Sequence, residues 1–190
     1  MPRLPHLHAW LSPVDAPRSA DLIFVLAGKV YRKEYALDLF RQGLAPRILF
    51  SVSRFEIRRF SKMTLPVSLD LLKLAQELPP PQRHYFAFFE GQKVRTEHVS
   101  PGRFGTFTEI AALARWLKEN PDIGSVIVVS SDSHLRRIRV CCRSLLSPKM
   151  KLAFLAAPYP PDENSAFASA KEDLIELFKL SIYWVLLKSR

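Results

Sequence analysis

The feature that most constrains the fold is a regular alternation of short apolar runs with helical patterns. Five runs rich in β-branched and aromatic residues have the length and composition of strands. Between them, apolar residues recur at three- and four-residue intervals, which is typical of amphipathic helices. The predicted strands are 20–28, 46–52, 83–91, 125–130 and 149–158, and the predicted helices are 31–43, 65–78, 106–120, 132–146 and 166–187.

Strands that alternate with helices are joined by right-handed crossovers, which place helices on both faces of a parallel sheet. The sequence therefore predicts an α/β fold with a mostly parallel sheet of about five strands. With 190 residues, of which 48% are hydrophobic, the chain is long enough for one well-buried domain and short for two. We expect a single domain over 1–190, with an irregular segment at 1–19 and a C-terminal helix at 166–187.

The formal net charge of +10 favours an anionic partner, such as nucleic acid, a membrane surface or a phosphorylated small molecule. Cys141 and Cys142 are adjacent and form neither a disulfide framework nor a CxxC motif, which suits a reducing compartment. The N-terminal segment is broken by prolines and has no signal-peptide pattern. The apolar stretch 174–187 is shorter than a membrane-spanning helix and contains Glu176 and Lys179, so we expect a cytoplasmic location.

Ligands of open α/β sheets bind at the carboxyl ends of the strands, near a reversal of strand order. This rule directs attention to residues 27–29, 51–53, 89–91 and 130–132, which follow or end four predicted strands. The sequence contains no GxGxxG, GxxxxGK[ST] or GxSxG motif, so the fingerprints of dinucleotide sites, P-loops and nucleophile elbows are missing.

The fourth predicted strand ends in Ser130, Ser131 and Asp132, and His134 and Arg137 follow at helical spacing. His134 lies in the first turn of the predicted helix, where the backbone N–H groups and the helix dipole favour an anion. Arg137 lies one turn further along the same face. These residues suit a phosphate or a carboxylate. Alternatively, the serines or Asp132 only cap the helix, and His134 is a surface residue.

Two further segments have the same two interpretations. Thr106 and Glu109 fit the S/T-x-x-E capping box, which alone explains both residue types. A functional interpretation places an anion at this helix start, where the preceding loop contains glycine. At the first strand end, Gly28 permits close approach of a ligand or of backbone, and Lys29 and Arg32 follow as cations.

The stretch VIVVSSDSHLRRI resembles the strand-then-helix signature of the YdcF-like family, in which a strand ends in Thr-Ser and a His is followed three residues later by an Arg. Ser131, His134 and Arg137 match this pattern, and Ser130 stands at the position of the Thr. The segments DLIFVLAG, with Arg32 following, and ALDLFRQGLAPRILFS also agree with the family in order.

The resemblance extends over roughly residues 20–187 but departs from the family at two places. Thr108 and Glu109, with Thr106 beside them, align with a Ser-x-Asn-Thr-x-Glu-Asn element of which the Asn positions are not matched. The second strand ends in residues 51–53 of sequence Ser-Val-Ser, where the family has Gly-Gly.

The resemblance implies a three-layer, Rossmann-like α/β fold, a link to cell-envelope biogenesis, and S-adenosylmethionine as a ligand, since one member is reported to bind it. We expect a small anionic or nucleotide-like ligand, either S-adenosylmethionine or a phosphorylated or lipid-linked sugar. An enzyme of this kind would be a transferase or a hydrolase acting on a phosphorylated or envelope-precursor substrate, and the sequence does not separate these reactions.

In this hypothesis Arg32 and Arg137 form charge-assisted hydrogen bonds with the ligand. His134 orients the ligand or acts as a general acid–base, and Glu109 is its partner carboxylate. The predicted catalytic residues are thus His134 and Glu109, and the predicted ligand-binding residues are Gly28, Lys29, Arg32, Thr106, Thr108, Ser130, Ser131 and Arg137.

Two other classes of function remain open. A basic segment interleaved with Phe55 and Phe60 is typical of proteins that track a nucleic-acid backbone. The apolar C-terminal helix could instead dock on a membrane surface or a partner. The cations of the basic segment are Arg54, Arg58, Arg59 and Lys62.

Overall fold

The computed structural model describes residues 9–100, 105–159 and 174–183. The strands are β1 (Leu22–Val25), β2 (Arg47–Ser53), β3 (His84–Glu90), β4 (Lys93–His98), β5 (Ser125–Ser130) and β6 (Lys151–Ala156). The helices are α1 (Val30–Arg41), α2 (Ile57–Phe60), α3 (Leu71–Gln76), α4 (Gly105–Glu119) and α5 (Leu135–Leu145). Residues 174–183 are also helical and are called α6.

The six strands form one sheet in the order β4-β3-β2-β1-β5-β6. β1 is parallel to β2 and to β5, and β5 is parallel to β6. β3 is antiparallel to β2, and β4 is antiparallel to β3. The α/β class is therefore confirmed, but the prediction of a mostly parallel sheet is wrong, because the sheet is mixed. It has six strands, one more than the five predicted.

The direction of β3 follows from its connection to β2. Ser53, at the end of β2, pairs with His84, at the start of β3. Residues 54–83 therefore leave and re-enter the sheet at the carboxyl end of β2. Such a connection joins antiparallel strands, whereas a parallel pair needs a crossover that returns to the amino-terminal end of the strands.

The unpredicted strand β4 forms a hairpin with β3, and the turn contains Gly91 at φ +54°. Val94 is the one hydrophobic residue of β4, and most side chains of this strand are exposed. An edge strand of this composition has no apolar alternation to reveal it, and its charged side chains protect the sheet from pairing with other chains.

Alternate residues of β1 face two apolar clusters, one on each side of the sheet. Phe24 packs in the cluster formed with α4 and α5, and Val25 packs in the cluster formed with α1 and α3. All four residues of β1 are fully buried. Because burying a large apolar side chain contributes about 1.5–3 kcal/mol, this strand is a major source of stability. Cys141 and Cys142 are buried in the first cluster.

The predicted helices 31–43, 106–120 and 132–146 are confirmed as α1, α4 and α5 with shifted ends, and 166–187 is confirmed over its described part. The predicted helix 65–78 is shortened to α3. The Asp70 side chain caps α3 by accepting the backbone N–H groups of its first residues at 3.1 and 3.3 Å.

The N-terminal segment covers the outer edge of β6. Asp15 N–H donates to the Phe154 carbonyl, and Phe154 N–H donates to Asp15 Oδ2, both at 2.9 Å. The predicted irregular segment 1–19 is helical at residues 9–11, and residues 1–8 lie outside the described part. Among the helices that the structure describes, none is long and apolar enough to cross a membrane.

Candidate functional site

The strand order reverses between β1 and β5, because the chain adds β2 on one side of β1 and β5 on the other. A cavity of about 640 Å³ lies at the carboxyl ends of these two strands. Small-molecule sites have volumes of about 300–1,000 Å³, and the crevice at such a reversal is where open α/β sheets bind ligands.

The structure brings eight of the ten predicted site residues together around this cavity. Ser131 lies beneath the lining, and Thr108 is half-buried on α4 outside it. The lining also contains functional candidates that the site prediction missed, notably Phe55, Glu56, Arg59, Lys179 and Tyr183. The eight are Gly28, Lys29, Arg32, Thr106, Glu109, Ser130, His134 and Arg137.

Arg32 on α1 connects the two central strands. Its Nε donates to Ser131 Oγ at 2.8 Å, its Nη1 donates to the Ala27 carbonyl at 3.1 Å, and its Nη2 donates to His134 Nδ1 at 3.0 Å. Tyr31 shares a hydrogen bond with the same serine hydroxyl. Ser131 therefore positions α1 against β5 and reaches a ligand only through Arg32.

The contact with Arg32 determines the tautomer of His134. A guanidinium group has donors only, so His134 Nδ1 must accept and the proton of the neutral ring is on Nε2. Burial, with help from the neighbouring Arg32 charge, lowers the pKa of His134 to about 3. The ring is therefore neutral near pH 7, and the ordinary pKa that suggested acid–base chemistry does not apply in the folded protein.

The carboxylate beside His134 is Glu176 on α6. His134 Nε2 lies 3.4 Å from Glu176 Oε1, and Arg137 Nε donates to Glu176 Oε2 at 2.7 Å. Lys179 Nζ donates to Oε1 at 2.9 Å. Burial alone would raise the pKa of Glu176, but the Arg137 charge and the hydrogen bonds from Arg137 and Lys179 hold that pKa below its usual value. Arg137 also donates to Thr106 on α4, so it links three helices.

Glu109, the predicted partner of His134, instead accepts the Ala27 N–H at 2.8 Å. Glu56 accepts the Gly28 N–H at 3.0 Å. These two backbone groups are the donors that a phosphate-binding loop would present. Because the protein's own carboxylates occupy them, these two N–H groups are not available to an anion in this cavity.

Glu56 also anchors the end of β2. It accepts the Ser53 N–H at 2.8 Å and the Lys33 ammonium at 2.6 Å. Lys33 is fully buried, and burial lowers its pKa while the Glu56 charge opposes that shift. This pair was missed because Lys33 looks like a surface residue of an amphipathic helix and Glu56 belongs to no motif.

Gly28 is required by the packing of Arg32. Its φ is +133°, and a Cβ built there would lie 2.9 Å from Arg32 Nη1. The space left by the missing side chain is therefore taken by Arg32, and close approach of a ligand is not needed to explain this glycine.

Five cationic side chains line the cavity within the described residues, against two carboxylates. Neutral His134 adds no charge. The cations are Lys29, Arg32, Arg59, Arg137 and Lys179, and the carboxylates are Glu56 and Glu109. Ser130 Oγ, in the floor of the cavity, is buried and makes no hydrogen bond with the described residues.

The strand end at 89–91 was predicted to lie beside this site, and that prediction is wrong. Glu90 pairs with Arg47 at the start of β2, so it lies at the opposite edge of the sheet. His84, at the start of β3, lies instead at the carboxyl end of β2, and its Nε2 lies 2.6 Å from Ser51 Oγ. Burial lowers the pKa of His84.

The basic segment after β2 is exposed at Arg54, Arg58, Arg59 and Lys62. Phe60, however, is fully buried, so its ring cannot stack on a base. Of the two phenylalanines predicted to alternate with these cations, only Phe55 is therefore accessible.

A second cavity, of about 720 Å³, lies between the N-terminal segment, α5 and β6. Arg18, Arg139 and Arg143 line it together with Asp15, which is paired with Arg139 at 2.8 Å. It contains none of the predicted site residues. Among the described residues no group of three or more His, Cys, Asp or Glu side chains could hold a metal ion.

Comparison with protein-family models, with curated proteins and with solved structures gives no match for this chain. The resemblance to the YdcF-like family therefore stays a prediction.

Proposed function

We propose that the protein binds a small anionic or nucleotide-like ligand in the cavity at the carboxyl ends of β1 and β5. The observation that carries this proposal is the excess of cationic side chains around the cavity. Five cations face two carboxylates in the lining, and they remain in excess when Glu176, the partner of Arg137 and Lys179, is counted. A concave, partly enclosed site concentrates the field of such charges and attracts an anion.

Arg32 and Arg137 supply the strongest contacts in this proposal. Each guanidinium group is already oriented by the protein, Arg32 by Ser131 and His134, and Arg137 by Glu176. A side chain held in place loses little rotamer entropy when a ligand arrives, so its charge-assisted hydrogen bonds contribute more to affinity.

Neutral His134 serves this ligand by orienting Arg32. A proton-donating role at neutral pH would require an imidazolium, which the lowered pKa disfavours. We retain phosphoryl or methyl transfer, or hydrolysis of a phosphorylated or lipid-linked sugar, as the reaction classes that the family resemblance implies.

We also propose, on the sequence signature of Ser131, His134 and Arg137, that the chain is a member of the YdcF-like family, with its Rossmann-like fold and link to the cell envelope. The charge of the lining fits S-adenosylmethionine less well, since that molecule has a sulfonium and an ammonium group against one carboxylate. The cation-rich lining favours a phosphate-bearing ligand instead.

A thermal-shift screen with nucleoside phosphates, sugar phosphates, lipid-linked analogues and S-adenosylmethionine tests the proposal. A ligand present at a hundred times its Kd should stabilise the protein by about 2.7 kcal/mol. The matched variants are Arg59→Gln, which removes a cation of the cavity, and Arg58→Gln, which removes its exposed neighbour outside the cavity. The first should weaken binding, and the second should not.

Equal effects of the two variants, or no shift with any phosphate-bearing compound, would contradict the proposal. Oligonucleotides belong in the same screen, because binding that falls steeply with salt and responds to both variants would indicate the nucleic-acid function instead.

A further inference from the structure

Phe55 is the most exposed large hydrophobic side chain among the described residues, with 79% of its surface accessible. It lies in the turn between β2 and α2 and lines the cavity at the strand ends. A single exposed phenylalanine needs no explanation on an open surface. Phe55, however, lies at the mouth of a cation-rich cavity, where its ring can contact a bound ligand.

The turn that presents Phe55 is held firmly. The next residue, Glu56, is almost fully buried and accepts hydrogen bonds from the Ser53 N–H and from the Gly28 N–H, at 2.8 and 3.0 Å. Its ion pair with Lys33 fixes it further. Arg54 stacks on the Phe55 ring, with its guanidinium carbon 4.4 Å from the ring centroid. The backbone that presents the ring is therefore fixed before any ligand arrives.

The cavity thus combines an aromatic ring with cationic groups contributed by other elements, Arg32 from α1, Arg137 from α5 and Lys179 from α6. We infer that the ligand contains a planar ring that stacks on Phe55 and an anionic group that the cations bind, as a nucleoside phosphate does. Aromatic stacking strengthens the binding of a base and tolerates different bases. This inference rests on the proposed anion site and adds the part of the ligand that the charges do not recognise.

Isothermal titration of the chain with AMP, GMP, CMP and UMP, and with ribose 5-phosphate as the probe that lacks a planar base, tests the inference. The variant is Phe55→Leu, which keeps an apolar side chain but removes the ring. The matched control is Phe178→Leu, since Phe178 is 69% exposed and does not line the cavity. Both variants should melt within a few degrees of the wild type, because neither changes a buried residue.

We expect at least one nucleotide to bind about tenfold or more tightly than ribose 5-phosphate, at the lower end of the range for stacking. Phe55→Leu should abolish that difference and leave the affinity for ribose 5-phosphate within about twofold, and Phe178→Leu should change neither.

Two results would overturn the inference in distinguishable ways. Equal affinities for nucleotides and ribose 5-phosphate in the wild type, unchanged by Phe55→Leu, reject the stacking role and leave the anion site standing. Binding of none of the five compounds rejects the anion site itself, and the inference with it.

Discussion

A hydrogen bond between Arg32 and His134 fixes both the direction of the guanidinium group and the tautomer of the imidazole. The Arg32 Nη2 donates to His134 Nδ1 at 3.0 Å, which leaves the imidazole proton on Nε2, 3.4 Å from Glu176 Oε1. A protonated ring would place a proton on Nδ1 against the guanidinium. The contact therefore explains why His134 remains neutral and why Arg32 has a fixed direction.

This contact predicts the titration of His134. Nitrogen-detected NMR should show the Nε2–H tautomer and no protonation between about pH 5 and pH 8, where an ordinary histidine titrates. A titration of His134 near its ordinary value of 6.5 would show that the buried contact with Arg32 is absent in solution.

Stability should depend on pH through the same residue. The folded-state pKa of His134 is lower than that of the unfolded chain, so protons bind preferentially to the unfolded state. The contribution of neutral His134 to the free energy of unfolding is complete above about pH 6.5. It is lost as the pH falls, at no more than about 1.4 kcal/mol per pH unit.

His134→Gln should therefore flatten the fall in the free energy of unfolding between about pH 7 and pH 5.5, measured by urea denaturation. His84 contributes with the same sign, because burial lowers its pKa too, so His84→Gln is measured in parallel. Superimposable pH profiles for the wild type and His134→Gln would refute the assignment.

The buried pair of Lys33 and Glu56 should be strongly asymmetric to substitution. Lys33→Met should cost about 3 kcal/mol or more of unfolding free energy, because Glu56 keeps its backbone donors but loses its counter-ion. Glu56→Ala should cost more, since it leaves a buried ammonium and also two backbone N–H groups without acceptors. Urea unfolding of both variants tests the order, and a reversed order would mean that the ion pair, rather than the backbone contacts, dominates.

Gly28→Ala should combine backbone strain with displacement of Arg32. Gly43 is a matched control, since its φ is also positive, at +78°, but nothing lies near its missing Cβ. Gly43→Ala should cost about 1–2 kcal/mol from the backbone alone. Gly28→Ala should cost more, because residues other than glycine adopt φ +133° even less readily, and it should also shift the NMR signals of His134. Unchanged His134 signals in Gly28→Ala would show that Arg32 is not displaced.

The sequence predicts the parts of the fold that depend on apolar burial. The run before Ser130 reveals β5 because every residue from 126 to 129 is fully buried. The polar residues that follow it mark a strand end, and the helical spacing of His134 and Arg137 then places both side chains at the cavity. Local pattern and position were sufficient for this part of the site.

The rest depends on contacts between distant residues. Arg137 and Glu176 are 39 positions apart, and nothing in the sequence near either residue indicates the pair. Nor does local pattern reveal that β3 runs antiparallel, since a strand buried on both faces has the same composition in either direction. For that reason residues 89–91 were placed at the wrong edge.

The central claim is that the cavity between the ends of β1 and β5 binds an anion. The most direct test is a titration of the ¹⁵N-labelled protein with nucleoside monophosphates, followed through the backbone amide signals. We predict saturable shifts of Lys29, Ser130 and His134 that weaken in Arg59→Gln. Saturable shifts confined to Arg139 and Arg143, beside the second cavity, or no saturable shift at all, would contradict the account.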